Sequence, residues 1–103
     1  MNKLIIAATL LMSSQAVAIE RDTCNNLTEM AGIAMEMRQS GINVTGLYNA
    51  IDRAEVSDSV KEITRVVILS AQGYPRHKTD QLKQHAVTEY RNTVLQLCLS
   101  TGE

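Results

Sequence analysis

The side chains from which redox, metal or nucleophilic chemistry could be assembled are few: two cysteines, two histidines and five methionines. Cys24 and Cys98 stand far apart with no CxxC spacing, so they do not form a local dithiol or thiolate metal pair; in an exported chain two cysteines most simply form one structural disulfide. A Cys24–Cys98 bond encloses nearly the whole chain, and loop-closure entropy puts its stabilisation at about 4 kcal/mol. Met30, Met35 and Met37 carry the thioethers that suit Cu(I). On a helix, however, Met35 and Met37 point about 200° apart and cannot share an ion, so they read as adaptable core filler. His77 and His85 fit neither H-E-x-x-H nor a Cys/His cluster, and no nucleophile stands beside an evident base. The expectation is a chain that is not an enzyme, with no catalytic residue, no metal and no cofactor.

One stretch, SAQGYPRHKTDQ from Ser70 to Gln81, is only half explained by structure. Gly73 and Pro75 stop one helix, and Thr79 or Asp80 starts the next. Tyr74, Arg76, His77 and Lys78 are not required for that job. Three cationic or near-cationic groups just before a helix N-terminus oppose its dipole. Tyrosine and arginine on a tight turn are residues that anchor interfaces. Tyr74, Arg76, His77 and Lys78 are therefore the candidate protein-binding residues. The structural alternative is a solvated basic loop with Tyr74 closing the end of the core. Arg38, near the end of the first helix, has two comparable readings: favourable interaction with the helix dipole, or a polar contact surface beside Gly41.

These residues have to be positioned by a small chain. Residues 1–18, MNKLIIAATLLMSSQAVA, place Lys3 before an apolar run and end in Ala16-Val17-Ala18, the layout of a signal peptide cleaved after Ala18. That run is too short to anchor in a membrane, and residues 19–103 then form a single domain with no membrane anchor after cleavage. Loss of Lys3 leaves nine basic against eleven acidic residues, a formal −2, which excludes the basic excess of a nucleic-acid binder. With no Trp or Phe and three Tyr, the core must be aliphatic. At this size it benefits from a covalent staple.

Apolar spacing at three and four residues predicts an amphipathic helix over Asp22–Gln39, capped by Asp22 and stopped by Gly41. A short second helix follows, with Asn43 as cap, Ile42 stapled on Leu47, and Leu47, Ala50, Ile51 and Ala54 inward. Ser59 and Glu62 of S-V-K-E form a capping box for a third helix that buries Val60, Ile63, Val67 and Ala71. Its RVVILSA run is β-branched, yet the flanking spacing favours helix over strand. The last helix, from Asp80 to about Ser100, turns Leu82, Ala86, Tyr90, Val94, Leu97 and Cys98 inward, and Gly102 stops it. The fold expected is all-α: a small up-down bundle of three to four helices, in which the start of the first and the end of the last share a pole. That topology permits the Cys24–Cys98 disulfide.

Three short elements resemble a group of small secreted two-cysteine helical proteins of unknown function from Gram-negative bacteria and their prophages. They are Arg38-Gln39-Ser40-Gly41 ending the first helix, the turn Tyr74-Pro75-Arg76, and Tyr90-Arg91-Asn92 ahead of Cys98; Val94 and Leu95 stand where that group carries aromatics. The resemblance implies export to the periplasm or secretion and a helical, disulfide-linked fold, and adds no activity. The expected function is non-enzymatic binding of another cell-envelope or periplasmic protein, as an inhibitor or immunity-type factor, with a homodimer left open. The competing classes are a periplasmic acid-stress chaperone triggered through His77, His85 and paired carboxylates, and a small hydrolase.

Overall fold

The computed structural model describes residues 21–101, so the signal segment and the Gly102 stop lie outside the described residues. Four helices follow in order: α1 (Arg21–Ser40), α2 (Thr45–Arg53), α3 (Asp58–Ala71) and α4 (Asp80–Thr101). No strand occurs among the described residues, and Cys24 and Cys98 are disulfide-bonded with their Cα atoms 5.6 Å apart. The RVVILSA run is helical. Its Thr64, Val67, Ile68 and Ala71 all bury at three- and four-residue steps, which outweighs the strand preference of branched side chains.

α1 is the shared floor of the bundle. It packs against both α4 and α3, α2 rests on α3, and the backbones of α3 and α4 barely approach one another. Small residues make the close packing of α1 feasible. Ala31 and Ala34 are fully buried, and at Gly32 a Cβ would stand 2.9 Å from Cδ of Arg91, whose stem crosses α1 there. Met35 is also fully buried, and Met30 packs against the core. At the end of α1 Gly41 takes φ 75°. Its N–H donates to Arg38 O, and the Ile42 N–H donates to Met37 O, a Schellman closure.

Several local expectations are corrected. Asp22 lies inside the first turn of α1 instead of capping it. Asn43 does not cap α2; its Oδ1 accepts from the Thr45 N–H at 2.7 Å, a side-chain turn just ahead of the helix. Ile42 is exposed, so the staple on Leu47 is not made, and Ile51 alone of α2 is buried. α3 is capped two residues earlier than expected, by Ser57, whose Oγ accepts from Val60 N–H at 3.2 Å. Thr79 caps α4 through the Leu82 N–H. Ion pairing ties α2 to α3: Arg65 Nη2 lies 2.6 Å from Asp52 Oδ1, and Lys61 Nζ donates to the Asp52 carbonyl. The Arg65 hydrogen bond holds the Asp52 carboxyl below its usual range.

The largest departure is in the facing of α3 and α4. Ile63, Leu82 and Leu97, all expected inward, are substantially exposed. Val67 and Ala71 on α3 and Ala86, Tyr90, Val94 and Cys98 on α4 are buried as expected, and Thr64, Ile68 and Val87 join them. Because the disulfide closes a span of 74 residues, replacing both cysteines by serine is expected to cost about 2–4 kcal/mol. Thermal unfolding followed by circular dichroism should then show a midpoint lowered by about 10 °C or more. An unchanged midpoint would contradict a structural role for the bond.

Candidate functional site

The turn between α3 and α4 is built against the end of α1. α3 unwinds through three successive three-residue backbone bonds, from Gln72, Gly73 and Tyr74 N–H to Leu69, Ser70 and Ala71 O. The chain then crosses the C-terminus of α1, where two side chains receive it. Arg38 Nε donates to the Tyr74 carbonyl at 2.8 Å. The Gln39 amide donates from Nε2 to the Pro75 carbonyl at 2.9 Å and accepts the His77 N–H at Oε1, 2.8 Å. Gln39 is only 2% exposed and both bonds are partly buried, so water competes for them less than at an open surface.

All four candidate residues thus lie on a segment fixed by its backbone, and their side chains differ in what they do. Tyr74 sets its ring edge-on to Tyr90 with centroids 5.1 Å apart, a favourable aromatic geometry. It closes one end of the core while remaining 36% exposed. Arg76 lies over Gly41, where a Cβ would stand 2.8 Å from Nη2. Gly41 is therefore required twice, for its φ and for this approach. His77 is half-buried, and Lys78 is exposed. Arg38 has a tertiary partner that neither of its sequence readings included.

The sequence places Gln39 at the end of α1, in the Arg38-Gln39-Ser40-Gly41 element, but its burial and its hold on the turn were missed. A signal existed, because position 39 continues the four-residue step of the buried Ala31 and Met35. A glutamine on that stripe must find internal partners.

Beside the turn, an apolar groove of about 400 Å³ runs between α3 and α4 above Leu27. Ile63, Val66 and Val67 form one wall, Val94 and Leu97 the other, and Tyr74 and Tyr90 one end. A smaller polar recess of about 220 Å³, lined by Glu36, Asp80 and Lys83 among others, lies between α1 and α4. Among the described residues no group of three His, Cys, Asp or Glu side chains is placed to hold a metal ion. The arrangement offers shape and charge for binding.

Tyr90 links the walls, its hydroxyl donating to the Val67 carbonyl of α3. Burial, with a smaller contribution from Tyr74 and against a Ser70 hydrogen bond, pushes the Tyr90 phenol up to about 12. The unfolded phenol ionises near 10. Stability is therefore full below about pH 10 and falls as pH rises toward 12, by at most about 1.4 kcal/mol per pH unit from this group. Urea unfolding between neutral and alkaline pH should show that fall in the parent and a shallower one in Tyr90→Phe. Equal slopes would contradict the assignment. Replacing Gln39 by Ala leaves the Pro75 carbonyl and His77 N–H without their buried partner and is expected to cost about 1–3 kcal/mol. Ser40→Ala, an exposed neighbour, should stay within about 0.5 kcal/mol. Equal stability of the two variants would show that the clamp holds nothing.

No family model matches this chain, and no curated protein and no solved structure matches it significantly.

Proposed function

We propose that this chain is an exported, non-enzymatic binding protein that engages another envelope protein through the Tyr74–Lys78 turn, as an inhibitor or immunity-type factor does. The observation that carries this reading is the economy of the Gln39 clamp. The clamp and Arg38 engage only main-chain groups of the turn, the carbonyls of Tyr74 and Pro75 and the N–H of His77. Arg76 and Lys78 are left facing solvent. A segment whose backbone is already ordered loses little entropy on binding, the main cost that preorganisation removes.

The chemistry of the turn narrows the partner. Arg76 and Lys78 form a basic spot on a chain of formal charge −1, and Tyr74 adds an aromatic surface at its edge. Such a spot selects an acidic patch, with arginine able to grip a carboxylate through two parallel hydrogen bonds. The disulfide supports an oxidising compartment, the periplasm or the exterior. No helix among the described residues is long and apolar enough to cross a membrane. The resemblance to small secreted two-cysteine proteins points the same way.

Capture from an envelope extract with immobilised parent protein should recover a partner that the double variant Arg76→Ala, Lys78→Ala loses by about tenfold or more, as expected for a buried interfacial charge pair. Raising the salt concentration should weaken capture by the parent. Equal recovery by parent and variant would overturn the assignment of this turn.

A further inference from the structure

We infer that the groove between α3 and α4 is covered by a second copy of this chain, forming a two-fold dimer. The groove and the turn meet at Tyr74, which stands on the turn and closes one end of the groove, while Arg76 and Lys78 do not line it. In a two-fold interface one patch must complement itself, so each copy has to present both a recess and something to fill it. This face presents both. The groove supplies the recess. Val66, on its α3 wall, stands 58% exposed, and Leu69, 62% exposed and outside the groove lining, continues it along α3 as an apolar ridge. Setting the α3 ridge of each copy into the groove of the other satisfies both at once. It also places a further long helix against α3 and α4.

Area and charge agree with that occupant. Ile63, Val66, Leu69, Tyr74 and Leu97, from 36% to 63% exposed, expose roughly 450 Å² together, the size of the largest apolar patch on a typical monomer, which is often functional. Two copies would remove roughly 900 Å² from these residues alone, and the exposed, uncharged Ser70, Thr93 and Gln96 extend the contact toward the roughly 1,200 Å² at which stable interfaces begin. No residue lining the groove is charged, so two negatively charged chains meet there without burying like charges. Depletion of charge at the centre is the compositional mark of homodimer interfaces.

Sedimentation equilibrium of the purified, oxidised protein tests the inference. The expected result is twice the chain mass, with a dissociation constant raised at least about tenfold in Val66→Glu and in Leu69→Glu, the effect of burying one unpaired charge from each copy. Both side chains are largely exposed, so the helical circular dichroism of the variants should match the parent. Arg76→Ala should dimerise as the parent does, which separates this face from the turn. A monomer at millimolar concentration, a dimer that both glutamate variants leave unchanged, or a dimer that Arg76→Ala disrupts would each overturn the inference.

Discussion

The Gln39 side chain is nearly inaccessible to water, yet it reaches across the end of α1 to accept from His77 N–H and donate to the Pro75 carbonyl. A buried amide that lost either partner would carry a desolvation penalty larger than the net worth of the bond. The crossing of the α3–α4 turn over α1 is therefore tightly specified. At the other end of α1, Cys24 holds α4 through Cys98. α1 is thus joined to the rest of the chain at both poles, by a covalent bond at one and by a satisfied polar contact at the other. Between them lies a narrow core of alanine, valine, isoleucine, leucine, methionine and one buried tyrosine.

That economy shapes the surface. A chain with no phenylalanine or tryptophan cannot fill a broad interior, so α3 and α4 each pack on α1 and hardly on each other. Tyr90 bridges them through its hydroxyl and meets Tyr74 at the groove's end. The short α2 rests on α3 and is held there partly by the exposed Asp52–Arg65 pair, an interaction that contributes little in water. The open groove and the fixed turn are two consequences of the same architecture. One is a recess left by a missing long helix, and the other a loop tied down from below.

The helices and the disulfide were legible because their signals are local or forced. Three- and four-residue spacing marks each helix, Gly41 and Pro75 mark two ends, and two cysteines have one possible pairing within the chain. Side-chain facing was less legible. Ile63 of α3 and Leu82 and Leu97 of α4 satisfy helical periodicity, but so do Thr64, Ile68 and Val87, which are buried, and only packing on α1 selects between them. The Ser57 cap was hidden by Ser59, since S-x-x-E at 59–62 satisfies the capping-box pattern and S-D-S offers two hydroxyls. The Tyr74–Lys78 turn could be singled out by residues its helix-breaking role did not need. Its support could not, because Arg38 and Gln39 lie far away in sequence, and their partners are backbone groups that no motif describes.

Whether the turn is ordered without a partner is read from nitrogen-15 relaxation of the backbone amides of Tyr74, Arg76, His77 and Lys78 in the free, oxidised protein. Order parameters of about 0.85, equal to those of the flanking helices, are expected. Values below about 0.6 across those amides, with rigid helices on either side, would contradict that expectation.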